Sequence, residues 1–221
     1  MILIGGSKSV SLFYSLLYKY IIPSHISVCS MHSSSKTLIS NIPKILCSSK
    51  SYSTKFFSHL DSQGAANMVD TSPKVQSTRI AMAEAIVQFQ PSTFAELVES
   101  NGQNAKGAIF TVSRIAGICG SKRTSDLIPL CHPLSITHIS IRFKINKELN
   151  QLLVYSRVKT VSFTGVEMEA LTACSVAALT IYDMCKALSH DIVIGPIRLC
   201  GKTGGKANFG CVEFDADHNY F

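Results

Sequence analysis

The chain has 221 residues, of which 46% are hydrophobic and 16% charged, with a formal charge of +7. That charge is uneven: residues 1–60 hold six Lys, sixteen Ser and no Asp or Glu, which leaves about +1 for everything after them. The basic balance therefore belongs to the tail and gives no support to a nucleic-acid-binding domain. The tail's apolar stretch, Val10–Leu17, is too short to span a bilayer, so no membrane partner is expected.

An acid-free, Ser-rich, basic N-terminus resembles an organellar transit peptide, here with Lys in place of the usual Arg. Residues 1–64 are expected to be a targeting peptide for the mitochondrial matrix, disordered and removed. Another organelle is the alternative, as is a secretory signal, although Lys19 interrupts its apolar stretch. Residues 65–221 remain as one domain, long enough to bury a proper core. The cysteines, at 29, 47, 119, 131, 174, 185, 200 and 211, form no C-x-x-C and no Cys/His cluster with zinc spacing. Unpaired thiols in a reducing compartment and no metal site are expected.

In chain order, MVDTSPK from Met68 reads as an extended entry segment. STRIAMAEAIVQF is ambiguous between strand and helix. Thr93 and Glu96 have capping-box spacing and predict a short helix ending near Asn101-Gly102. Ala108–Cys119 carries apolar residues at a helical period, weakened by Gly117. Ile139, Ile141, Phe143 and Ile145 alternate on one face of a strand over Ile136–Ile145, and Leu152–Val161 predicts a second. Gly165–Leu188 is the strongest helical pattern, rich in Ala, Leu, Glu and Met. Ile192–Leu199 and Asn208–Phe214 predict two further strands. Strands, then a helix, then strands argue for a two-layer α+β domain.

Four groups of residues carry the chemistry. His132, in DLIPLCHPL, is held stiffly between Pro129 and Pro133 beside Cys131. It is either a titrating site residue or a structural histidine satisfied by a carbonyl. Glu167 and Glu169 flank Met168 at the start of the long helix, where carboxylates are also favoured electrostatically. Asp183 and Lys186 share a face further along, either as a surface ion pair or, in their apolar surroundings, as a partly buried acid/base pair. Basic residues recur in Gly- or Pro-flanked loops: Arg79, Lys106, Lys122, Arg123, Lys202 and Lys206. Together they suit an anionic substrate better than scattered surface cations do. GPIRLCGKTGGK, residues 195–206, is not a Walker A loop: the spacing is one residue too long and no long helix can follow. One geometric constraint stands out, because Glu169 and Asp183 lie about 21 Å apart along a helix rising roughly 1.5 Å per residue. They cannot meet at one small reacting centre within a single chain.

The ordered run LIPLCHPL, TGVEMEALTACSVAALTIYDMCKAL and DIVIGPIRLCGKTGGK, with MVDTSPK and IFTVSRIAGICGSKRT upstream, resembles the MoaC family of cyclic pyranopterin monophosphate synthases. The resemblance covers roughly residues 67–215. It implies a ferredoxin-like α+β sandwich with helices packed on one face of an antiparallel sheet. It also implies a homohexamer built as a trimer of dimers, with the pocket at a subunit interface. The substrate would be a 3′,8-cyclised 7,8-dihydro-GTP supplied by an upstream radical enzyme, the reaction a phosphorus–oxygen lyase step of molybdenum cofactor biosynthesis that expels pyrophosphate. No cofactor is implied, because the step only rearranges bonds. Carried onto matching positions, Lys106, Asp183 and Lys186 are the expected catalytic residues. Leu130, Cys131, His132, Glu167, Met168 and Glu169 are expected to line the substrate pocket, and Arg79, Lys122, Arg123, Lys202 and Lys206 to make phosphate or other pocket contacts. Two departures from the family pattern are Ser162-Phe163, where many members have Gly-Lys, and Asn67, where a His often stands. A non-catalytic nucleotide-binding module on the same scaffold is the alternative reading.

Overall fold

The computed structural model describes residues 59–61, 63–215 and 220–221, so the expected targeting segment lies outside the described residues as far as Ser58. The ambiguous stretch becomes β1 (Ser77–Gln88), the middle of the sheet. Its alanines favour helix intrinsically, but pairing on both sides overrides that preference. β1 runs antiparallel to β5 (Gln151–Ser162) from Ser77↔Ser162 to Gln88↔Gln151, and antiparallel to β6 (Val193–Thr203) on its other side. β4 (Ile136–Asn146) flanks β5 and a two-residue β7 (Phe209–Gly210) flanks β6, giving the order β4-β5-β1-β6-β7. The strand expected over Asn208–Phe214 is therefore mostly absent. Gly210, at φ 64°, turns the chain out of the ladder, and the Val212 carbonyl instead accepts from Arg157 Nε at 2.7 Å.

α1 (Pro91–Glu99) starts from Gln90 with proline in its first turn, and no side chain caps it. The expected capping box does not form, because Thr93 lies inside the helix and is buried against the core. A short hairpin of β2 (Gln103–Asn104) and β3 (Gly107–Ala108) leads into α2 (Ile109–Lys122), and a single turn, α3 (Thr124–Leu127), follows. Gly117 costs α2 helix propensity but lets it approach α4 (Glu167–Cys185): a Cβ there would meet the Ala173 carbonyl oxygen at 2.7 Å. Discounting the small hairpin and edge pieces, the chain reads β-α-β-β-α-β, with α2 and α4 on one face of an antiparallel sheet. This is the expected ferredoxin-like two-layer α+β sandwich.

The core is small-on-small where α4 crosses the sheet. Ala81, Ala83, Ala85 and Val87 of β1 face Ala170, Ala173, Ala177 and Ala178 of the helix, all fully buried. Close approach lets the layers hydrogen-bond directly: Ser156 Oγ donates to the Ala170 carbonyl at 2.7 Å, and the Cys174 thiol to that of Ala83 at 3.2 Å. α4 is apolar and long enough by composition to cross a membrane, but its apolar side is spent on this sheet. The consequence for function is positional: one straight helix fixes Glu167 and Glu169 at one end and Asp183 at the other.

Candidate active site

At the N-terminal end of α4, the loop before the helix, the start of β1 and the end of β6 converge on a cavity of about 590 Å³. Lys74, Arg79, Phe163, Glu167, Lys202 and Lys206 are among its walls. A second cavity of about 490 Å³ shares Lys74, Thr164, Gly165, Glu167 and Lys206 with the first. It adds Leu130, Cys131, His132, Met168 and Glu169. Nine of the residues singled out from the sequence thus converge on two adjoining cavities: Arg79, Leu130, Cys131, His132, Glu167, Met168, Glu169, Lys202 and Lys206.

The glycine-rich stretch does not form a loop over 195–203, which is strand β6; the turn comes later, at Gly204-Gly205-Lys206. Gly204 has φ 85°, and a Cβ there would overlap the Thr78 carbonyl oxygen, so only glycine fits. Ser77 Oγ donates to the Gly204 carbonyl at 2.8 Å, and Asn208 Oδ1 accepts from its N–H at 3.0 Å. These bonds hold Lys206 on the wall shared by both cavities.

The cations differ in what they have left for a ligand. Lys202 Nζ is 2.7 Å from Glu167 Oε1 in a half-buried ion pair. Arg79 reaches the carbonyls of Ser162 and Phe163 only at 3.4 Å, long contacts that leave its guanidinium available for a better acceptor. Lys206 has no ion pair among the described residues.

Glu169 is the chemically distinctive group. It is 4% exposed, and burial pushes its carboxyl up from 4.5 to about 7, with the nearby Glu167 adding to the rise and a backbone hydrogen bond opposing it. Such a carboxyl can give or take a proton near neutral pH. Burial likewise raises the Cys131 thiol, with Glu169 adding to it, so this thiol is a wall and not a nucleophile. His132 does what its bland reading proposes: its Nε2–H donates to the Val69 carbonyl at 2.8 Å. The carbonyl can only accept, so the proton sits on Nε2 and only Nδ1 remains for a ligand.

The C-terminal end of the same helix holds a separate cluster. Lys106, at the tip of the β2–β3 hairpin, donates to the Asp183 carbonyl at 2.6 Å and lies 3.1 Å from Asp183 Oδ2. Lys186 Nζ is 2.7 Å from Asp183 Oδ1. Asn104 pins the hairpin there by donating to the Met184 carbonyl at 2.7 Å while its Oδ1 accepts from the Lys106 N–H at 2.8 Å. Hydrogen bonds from Lys186 and then Lys106 hold the Asp183 carboxyl below the ordinary carboxylate range, and Asp183 in turn raises Lys186. Of the two readings of Asp183 and Lys186, the structure gives the surface ion pair. The side chains of Lys106, Asp183 and Lys186 are 45%, 56% and 48% exposed, because Ile181, Met184 and Cys185 take the inward side of this turn. Lys122 and Arg123, at the end of α2, are exposed and line neither cavity.

The profile of the MoaC family matches residues 68–205. The chain belongs to that family. The protein is therefore placed in molybdenum cofactor biosynthesis, and most of the walls of the cavities at the head of α4 fall within the matched span, with His59, Lys206 and Ala207 outside it. The MoaC-family chain also lines these cavities with residues that the sequence alone did not single out as site residues. Lys74 lines both cavities; the turn Asp70-Thr71-Ser72, closed by Asp70 Oδ1 accepting from the Ser72 N–H at 2.8 Å, comes just before it and is the only local hint. Phe163, at the departure from the family pattern, gives the first cavity an aromatic wall.

Proposed function

We propose that the protein is a cyclic pyranopterin monophosphate synthase, a phosphorus–oxygen lyase acting on a 3′,8-cyclised 7,8-dihydro-GTP and releasing pyrophosphate. The observation that carries this reading is the cavity pair itself. Within a MoaC-family chain, Lys74, Arg79, Lys202 and Lys206 surround a space beside a carboxyl that titrates near neutrality. Those cations neutralise a triphosphate and stabilise the negative charge on the phosphoryl oxygens and the departing pyrophosphate as a ribose-derived hydroxyl bonds to the α-phosphorus. Glu169 and the Asp183–Lys186 pair move protons as the ring opens and the pterin closes.

The reading requires two chains at each site. Glu169 and Asp183 stand on one α-helix, about 21 Å apart. Exposed as it is in one chain, the Lys106–Asp183–Lys186 cluster completes the cavity of a neighbour in a hexamer made of three dimers. The upstream radical enzyme supplies the substrate, and the matrix of the mitochondrion is the compartment. No cofactor is called for by a step that rearranges bonds.

The test is direct. The full chain is incubated with the cyclised dihydro-GTP, and pyrophosphate release is followed beside Lys186→Ala. Release by the parent alone is expected. Binding without release by the parent would instead favour the non-catalytic nucleotide-binding module, and GTP or ATP hydrolysis would point to a nucleotidase.

A further inference from the structure

We propose that His59 contacts the ligand in the second cavity, so that the functional domain begins at or before residue 59. The inference rests on the synthase reading for the identity of the ligand and on the structure for the site. His59 lines the 490 Å³ cavity together with Lys74, Cys131, His132, Glu169 and Lys206. It reaches that wall on a built hairpin. Leu60 bridges Ala66, the Asn67 N–H donates to the His59 carbonyl at 2.8 Å, and the Asp61 N–H donates to the Ala65 carbonyl at 2.9 Å. The turn is closed by Asp61 Oδ1, which accepts from the N–H groups of Gln63 at 2.8 Å and Ala65 at 2.9 Å. Two residues after the hairpin, the Val69 carbonyl takes the His132 Nε2 proton, which ties the segment to the opposite wall of the same cavity.

The division of labour between the two imidazoles follows from those bonds. His132 has spent Nε2 on structure. Among the described residues no hydrogen bond engages the His59 ring, which lines the cavity and is exposed, so its nitrogens remain open to a ligand there. Its neighbours supply the other donor and acceptor types: ammonium groups from Lys74 and Lys206, and carboxyls from Glu167 and Glu169. The imidazole adds to that set two ring nitrogens able to hydrogen-bond, as a purine- or pterin-type ring edge requires. His59 is thus a ring-binding residue, and the lysines are the phosphate-binding ones. The residues from 59 onward then belong to the domain, six residues earlier than the boundary at residue 65 expected from the sequence.

The experiment uses the full chain as parent, His59→Ala, His59→Gln, and Asp61→Ala, which loosens the turn while leaving the imidazole in place. His190→Ala, a change outside both cavities, is the reference. Each is measured for GTP binding by calorimetry and for KM and kcat with the cyclised dihydro-GTP. His59→Ala is expected to weaken GTP binding and raise KM by about tenfold, the scale of one lost hydrogen bond to the ligand. His59→Gln should recover part of the loss, and Asp61→Ala should show a smaller loss of the same kind. Parent turnover with unchanged binding and KM in His59→Ala would overturn the inference and leave the synthase reading standing. GTP binding lost in His59→Ala, with no turnover by the parent, would support the inference and sink the synthase reading. A parent that binds no nucleotide would overturn both. Mass spectrometry of the mature chain's N-terminus gives a second check: a start downstream of His59 would overturn the inference outright.

Discussion

The two ends of α4 carry similar residue types and behave in opposite ways. At the N-terminal end, Glu169 is buried and its proton affinity is raised by burial; at the C-terminal end, Asp183 is open to solvent and its proton affinity is lowered by two lysines. At the head of the helix, five segments of one chain already supply cavity walls. The tail of the helix presents a charged cluster whose side chains are about half exposed to solvent. Exposed ion pairs of that kind contribute little to stability. The contrast teaches that a carboxylate's role is set by what desolvates it, not by its place in a motif.

The sharpest way to break this comparison is at the exposed end. Lys186→Ala and Asp183→Asn are expected to cut pyrophosphate release by about 10²–10⁴-fold, the range for loss of a positioned acid/base group. Both should leave the melting temperature almost unchanged, because the cluster is solvated. A large drop in thermal stability with little loss of activity would reverse the assignment. In the middle of the helix, Gly117→Ala drives a methyl into α4 and should cost about 1–3 kcal/mol by chemical denaturation. An unchanged denaturation midpoint would mean that α2 and α4 are not packed as closely as the sheet and helices require.

The buried end gives a pH signature. Because Glu169 holds its proton more tightly in the folded chain than its ordinary value of 4.5, folding stability from this group is present below about 4.5 and declines as pH rises towards about 7. Glu169→Gln removes that decline. The stability of the variant relative to the parent should therefore rise across this window, by an upper bound of roughly 3 kcal/mol. A flat difference between the two, measured by denaturation at pH 4.5 and pH 7, would show that Glu169 is not desolvated. The smallest effect is expected away from both ends. Glu96→Ala should stay within about 0.5 kcal/mol, since no capping box forms at α1. A loss near 1 kcal/mol in a thermal melt would restore the box.

The periodic elements were legible because burial imposes its period on residue type. Ile139, Ile141, Phe143 and Ile145 alternate as the strand expected over Ile136–Ile145, and α4 carries its helical pattern through all of Glu167–Cys185. The alanines of β1 were not legible, since what makes them strand residues is the pair of neighbours they meet 70 to 120 residues later. The site divides the same way. Its charged residues could be picked out by their setting and by family motifs, but nothing local separates Lys202 and Lys206, which line the first cavity, from Lys122 and Arg123, which do not. Lys74 ends the family motif MVDTSPK without standing out in it, and His59 had no motif of its own; both enter the site only because the chain folds back on itself there.

By itself, then, the sequence determined the two-layer α+β architecture, the MoaC family and the 21 Å problem, because period, motif order and helix rise are properties of the chain taken in order. Only the tertiary structure decided which cations share a cavity, which carboxyl is desolvated and which imidazole nitrogen is free. Those depend on distances between segments far apart in sequence, and proton affinity and hydrogen-bond partnership follow distance and solvent access alone.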